Sequence, residues 1–192
     1  MPFDGITVRS LVSELQSTIL DGKIEKIYQP EKDELYINIR NNKANYRLVI
    51  SASPMYPKMH LTKAAKSNPL TAPAFCMLLR KHLTNSRIIS INQPSLERIV
   101  ELKFNCIDEM GYSVEKSLIV EIMGRHSNII FVDSESKVII DSIKRVGNDM
   151  SSVRTIMPGF KYVCPPSAGK FDPLTVSKDE FISSIKSEPG SV

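Results

Sequence analysis

Three cysteines, three histidines and eight glycines are all that 192 residues offer to most catalytic and metal-binding chemistries. Cys76, Cys106 and Cys164 lie far apart, with no CxxC pair and no Cys/His ligand spacing, which argues against a structural zinc site. An odd number of cysteines without a disulfide pattern fits a reducing compartment. His60, His82 and His126 form no HxxxH or HExxH array. The sparse glycines build no phosphate-cradling loop, no GxSxG elbow and no dinucleotide fingerprint. No run approaches the roughly 18 apolar residues that cross a bilayer, and the N-terminus has neither a basic nor an apolar leader segment. The expectation is a soluble, cytoplasmic protein with no membrane partner. It should not be an enzyme, and it should hold no metal and no cofactor.

What is present is a core. The chain is 42% hydrophobic and 24% charged, a balance that supports a packed globular domain and excludes disorder as the default. Lys and Arg number 25 against 21 Asp and Glu, a net charge of +4. That mild basic bias permits a nucleic-acid partner without requiring one.

The hydrophobic pattern changes period along the chain. Residues 7–20 set Val8, Leu11, Leu15 and Ile19 at helical spacing, widened by Val12 and Leu20 and stopped by Asp21-Gly22. "KIEKIYQ", "ELYINIR" and "NYRLVISAS" then alternate, and Asn41-Asn42-Lys43 supplies a turn. A loop punctuated by Pro54, Pro57 and Pro69 leads to a second helix in "TAPAFCMLLRKHL", with Thr71 as candidate N-cap and Pro73 in the first turn. Five further β-rich runs follow: "SRIISINQ", "ERIVELKFN", "KSLIVEIMG", "NIIFVDS" and "KVIIDSIKRV". They predict a twisted antiparallel sheet folding over on itself, an α+β fold. Pro and Gly density predicts a boundary near residues 165–173, and "SKDEFISSIKS" reads as the opening helix of what comes next.

Few residues invite a functional reading. Arg80, Lys81 and His82 read as a solvated basic face, although Arg80, Lys81 and Arg87 form a small positive cluster that could meet phosphate. Glu97 and Arg98 precede the apolar part of a strand after Pro94. They are either exposed strand-entry charges or a guanidinium–carboxylate pair able to recognise or stack on a base. Asp4 ahead of the first helix is a helix cap, or an acid that orients an arginine. In "EIMGRHSNIIFVD", Gly124, Arg125, His126, Ser127 and Asn128 put a cation, an imidazole and an amide between two apolar runs.

"MPFDG", "GKIEKIYQP", "FCMLLRKHL", "ERIVEL", "EIMGRHSNIIFVD" and "IMPGFKYVCPP" follow one another at ordinary spacing. Together they resemble the N-terminal domain of the NFACT family across residues 1–170. The resemblance implies a ribosome-associated quality-control factor. Such a factor binds the large ribosomal subunit carrying a stalled nascent chain and recruits tRNA, alanyl-tRNA in bacterial members, for C-terminal tailing. It also implies that residues 171–192 are a linker and the start of a truncated helical domain. The family's tRNA-contacting acid falls on Asp4 and its Asp-Arg pair on Glu97-Arg98, where Glu extends the reach by one methylene. Arg125, His126 and Asn128, in the family's "GRHSN" turn, are secondary RNA-contact candidates, with a structural role for His126 equally open. The older family name, fibronectin-binding protein A, implies an alternative: a fibronectin-binding surface adhesin. The implied fold is an antiparallel β-sandwich with flanking helices, similar to the N-terminal domain of formamidopyrimidine-DNA glycosylases. Those enzymes attack with an N-terminal proline amine assisted by a following Glu. Here Pro2 is followed by Phe3, so that chemistry is expected to be absent.

Overall fold

The computed structural model describes residues 3–147, 150, 153–166 and 176–187. Helix α1 (Gly5–Ile19) buries Val8, Leu11, Val12, Leu15 and Ile19, the stripe its periodicity predicts. Strands β1 (Lys23–Glu31), β2 (Glu34–Asn41) and β3 (Ala44–Ser51) form a meander. Asn42 and Lys43 both take positive φ, 45° and 65°, between the paired residues Asn41 and Ala44, which is the twist that closes a two-residue hairpin. A short strand, β4 (Lys58–Leu61), pairs with β3 inside the segment expected to be a proline-rich loop. Helix α2 (Ala74–Leu83) begins directly after Pro73, with no side-chain cap bond. Thr71 is therefore not the cap; the fixed φ of Pro73 starts the helix instead.

Strands β5 (Arg87–Asn92), β6 (Ile99–Ile107), β7 (Ser113–Glu121), β8 (Asn128–Asp133) and β9 (Ile139–Ser142) complete the sheet. The expected sandwich is one hydrogen-bonded sheet of nine antiparallel strands, in the order β4-β3-β2-β1-β5-β6-β7-β8-β9. Its halves meet at a single register pair, Lys23 with Arg87, extended by bonds such as Asp21 N–H to the Ile88 carbonyl at 2.9 Å. There the sheet bends, so Ile24, Ile37 and Leu48 from one half share a core with Leu102, Phe104 and Phe131 from the other, under α1 and α2. A sheet this wide relieves its accumulated twist by folding, and the fold-over encloses the core.

Each outer face is covered by irregular chain. On the second half, Ile99, Ile119, Ile130, Val132 and Ile139 pack with Ile156 and Tyr162. Glu121, 1% exposed, anchors this covering: it accepts from Tyr162 Oη at 2.9 Å and from both terminal nitrogens of Arg154. Burial, helped by Glu121, pushes the Tyr162 phenol far above its ordinary pKa. On the first half, Lys66 reaches Glu34, 4% exposed, with Nζ 2.8 Å from Oε1, and Arg47 donates to the Ala64 carbonyl at 2.9 Å. Residues 62–73 are thereby strapped across the outer face.

Helix α3 (Lys178–Ser187) forms where the sequence predicts it, and Ser177 and Glu180 cap it reciprocally. The boundary expected at residues 165–173 falls largely outside the described residues. Among the described residues, no helix is long and apolar enough to cross a membrane.

Glu121→Ala should lower stability by about 3–5 kcal/mol, because it strands the Arg154 cation against an apolar face. Lys81→Ala, which breaks the exposed pair with Glu109, should change little. Urea unfolding of both variants measures the contrast; equal effects would show that the buried pair does not anchor the covering segment.

Candidate nucleic-acid interface

Three segments converge at one end of the sheet: the start of α1, the β5–β6 turn and the β7–β8 turn. Asp4 caps α1 in extended conformation, its Oδ1 accepting from Thr7 N–H at 2.7 Å. That bond holds the exposed Asp4 carboxyl below its ordinary pKa. Gly5 follows because the chain allows nothing larger: a Cβ at this position would stand 2.0 Å from the Leu96 carbonyl oxygen. The helix start and the β5–β6 turn therefore touch through their backbones.

Two more side chains hold that contact. Gln93, 8% exposed, donates from Nε2 to the carbonyls of both Gly5 and Glu97, each at 2.8 Å. Arg9, one turn into α1, donates to the Ser95 carbonyl at 3.3 Å. Ser95 takes φ 48°, an unusual conformation for a residue with a side chain, and Glu97 N–H closes the turn on the Pro94 carbonyl at 3.0 Å. Glu97 and Arg98 leave this turn exposed. Among the described residues neither side chain has a hydrogen-bond or ion-pair partner.

Arg98 links to the third segment through its main chain, its carbonyl accepting from Ile122 N–H at 2.8 Å. Two residues on, Gly124 takes φ 57° and opens a single 3-10 turn through His126. Arg125 and His126 are both exposed, and Arg125 Nε donates to His126 Nε2 at 2.9 Å. That bond requires a neutral imidazole carrying its proton on Nδ1. Ser127 is buried, with its Oγ accepting from Met123 N–H at 2.8 Å.

Five of the six sequence candidates, Asp4, Glu97, Arg98, Arg125 and His126, thus project from three segments joined by main-chain contacts. Asn128 does not join them. It is 2% exposed, its Nδ2 donates to the Lys144 carbonyl at 2.8 Å, and its Oδ1 accepts from the backbone of Ile129 and Lys144. Its amide is consumed in closing β8 onto the segment after β9, which leaves nothing for an RNA contact. Lys144 is itself structural: Nζ donates to the carbonyls of Ala52 and Ser127, and burial pushes its pKa down.

The positive cluster expected at Arg80, Lys81 and Arg87 is dispersed. Arg80 Nε donates to the Ile27 carbonyl at 2.7 Å, Lys81 pairs with Glu109 at 2.6 Å, and Arg87 donates to the Asp21 carbonyl at 3.0 Å. His82 is half-buried, its ring centre 5.7 Å from that of Phe131, and burial lowers its pKa. Burial raises the Cys76 thiol and pushes Cys106 up to about 11, so neither is poised as a thiolate nucleophile. Among the described residues no three His, Cys, Asp or Glu side chains gather closely enough to hold a metal ion. Pro2 lies outside the described residues.

The family described as NFACT N-terminal and middle domains matches residues 4–192. The chain belongs to the NFACT family. It is 40% identical over 190 residues to the Rqc2 homolog RqcH of Bacillus subtilis, covering 99% of this chain and 33% of the relative. The Rqc2 homolog RqcH of Streptococcus pneumoniae is 42% identical over 185 residues, 96% of this chain and 33% of that protein. The chain thus spans about a third of the length of these curated relatives. Its fold matches the N-terminal part of the fibronectin/fibrinogen-binding protein from Streptococcus suis, with TM-score 0.91 and 38% identity over 97% of this chain and 70% of that one. It also matches the N-terminal domain of fibronectin-binding protein PavA from Streptococcus pneumoniae, with TM-score 0.89 and 39% identity over 95% of this chain and 68% of that one.

The sequence reading missed Gln93, Gly5 and Arg9, which assemble this NFACT surface. Gly5 carried a signal: glycine is a poor helix former, so its presence in a first turn marks a close approach. Gln93 and Arg9 carried none, since each looks like an ordinary exposed polar residue.

Gly5→Ala should cost about 1–3 kcal/mol through the clash with Leu96 and should shift the Glu97–Arg98 turn. Asp4→Ala should lower the melting temperature, whereas Asp4→Asn, an equally good cap, should largely preserve it. The Asp4 pKa is depressed in the fold. Its contribution is therefore full above the ordinary carboxylate range and is lost as pH falls through the lowered value. Thermal melts from pH 6 to 2 on wild type and Asp4→Asn should diverge in that acid window. Parallel curves would show that the carboxylate charge contributes nothing to the cap.

Proposed function

We propose that this chain is the tRNA-binding module of a ribosome quality control factor and acts by recognition, without catalysis. The observation that carries the reading is the Arg98 guanidinium, exposed and unpartnered among the described residues, on a turn fixed to the start of α1. A guanidinium that makes no internal bond keeps its five N–H donors for a ligand. Fixing its backbone in advance reduces the ordering cost of binding.

Glu97 beside it either orients the guanidinium or accepts from an exocyclic amine, and Arg125 and His126 offer donors to phosphate. This combination suits the unpaired loops of a tRNA, where bases are splayed and accessible. The relatives named RqcH support the quality-control setting, as does the human ribosome quality control complex subunit NEMF, 26% identical over 71% of this chain and 12% of that protein. In this reading the wider assembly is a large ribosomal subunit with a stalled nascent chain, in the cytoplasm. The names of the structural relatives support a second reading, binding of fibronectin at the cell surface.

The test is made in the full-length protein. Arg98→Ala should weaken tRNA binding roughly ten- to a hundredfold, the equivalent of about 1.5–3 kcal/mol for one charge-assisted hydrogen bond. Tail synthesis should stop while large-subunit association persists, and the melting temperature should hold. Glu97→Gln should cost less if the carboxylate only orients Arg98, and as much if it touches a base. Normal tailing by Arg98→Ala would remove the residue from the site. Undiminished fibronectin binding by a variant that no longer binds tRNA would separate the two readings. Borohydride treatment with abasic DNA should trap no adduct; a covalent adduct would overturn the non-enzymatic assignment.

A further inference from the structure

The strap of residues 62–73 does not lie flat on the sheet. Beneath it are two adjoining cavities of about 150 and 160 Å³ that share Tyr28 and Asn68 as walls. The first is lined by Tyr36 and Arg47 from the outer face and by Lys66 from the strap. The second is lined by Gln29, Leu70 and Arg80, between β1 and α2. Tyr28 and Tyr36 are register partners on β1 and β2, so their rings neighbour one another on one face. The Arg80 guanidinium stands 5.7 Å from the centre of the Tyr28 ring.

Three features of this groove converge. The fully charged side chains lining the two cavities, Arg47, Lys66 and Arg80, are all cationic, and the Lys66 ammonium is shared with the Glu34 and Glu31 carboxylates at 2.8 and 3.8 Å. The walls include aromatic and guanidinium planes, the surfaces on which unpaired bases stack. Gln29 is 4% exposed, and its Nε2 donates to the Lys32 carbonyl at 3.1 Å. Its Oε1 is buried and accepts no hydrogen bond among the described residues. A buried acceptor without a donor calls for a ligand N–H, and nucleobases carry such groups on their edges.

We propose that this groove is a second nucleic-acid site, which takes one unstacked nucleobase of a single strand together with its phosphate. The base lies against Tyr28, and an N–H on its edge donates to Gln29 Oε1. Arg47 and Lys66 face the phosphate. The groove is distinct from the Arg98 surface, since the two share no lining residue. It also stands without the tRNA assignment, because any unpaired strand offers the same chemistry.

The experiment titrates the 192-residue chain with a labelled seven-nucleotide RNA that cannot pair with itself, read by anisotropy and by tyrosine fluorescence. The chain has no tryptophan and six tyrosines, so stacking on Tyr28 is read as the part of the quenching that Tyr28→Phe removes. Tyr28→Phe should bind like wild type, and Tyr28→Leu should bind roughly five- to a hundredfold more weakly. Asn68 is exposed and makes no hydrogen bond among the described residues, so Asn68→Glu tests the groove without disturbing the fold. It should weaken binding by setting a carboxylate in both cavities. Arg98→Ala should retain the quenching, so failure of the groove and failure of the Arg98 surface give different results. Unchanged affinity in Asn68→Glu, or in a folded Tyr28→Leu, would overturn the proposal. So would a polyglutamate peptide that binds in a Tyr28-dependent manner while the RNA does not.

Discussion

The bend at Lys23 and Arg87 is the constraint on which the rest of the molecule depends. Nine antiparallel strands in one sheet cannot each bury an apolar face unless the sheet closes on something. Here it closes on itself. Because only one register pair joins the halves, the strands on either side are free to diverge, and α1 and α2 fill the space that opens. Helix α1 then spans the closure: Gly5 touches the β5–β6 turn at one end, and Asn41 Nδ2 donates to the Thr18 and Leu20 carbonyls at the other, both at 2.9 Å. The surface around Arg98 is a by-product of that span.

Much of this was legible from local pattern. The stripe on α1, the β2–β3 turn at Asn42-Lys43 and the five later strands follow from periodicity and turn chemistry, which act over a few residues. The bend was legible only as a tendency of the sheet to fold over. Its position depends on long-range pairing, and no residue near Lys23 advertises it. Strand β4 was hidden because Lys58–Leu61 is too short to show alternation and sits among prolines. It exists because the open edge of β3 accepts it, a tertiary cause.

The candidate site divides in the same way. Arg98, Glu97 and Asp4 were singled out through ordered motifs, and the structure leaves all three exposed. Asn128 was misjudged because an amide after a glycine-opened turn looks like a surface group. In the fold it begins β8 and spends its hydrogen bonds on Lys144 and Ile129. The tyrosines of the strapped groove were invisible for the opposite reason. Tyr28 and Tyr36 sit in alternating strands where an aromatic is ordinary, and only a strap arriving from some thirty residues downstream turns them into the walls of a cavity.

The two coverings share one construction. Each is irregular chain fastened to the sheet's outer face by a cation on a nearly buried glutamate, Lys66 on Glu34 and Arg154 on Glu121. Neither contributes residues to the main core cluster apart from its peripheral members. Opening either one exposes an outer face while the enclosed core stays shut, so the molecule can unfold in parts. Its least costly excursions are then two independent local openings, one over each half of the folded sheet, and the first of them widens the groove beneath the strap.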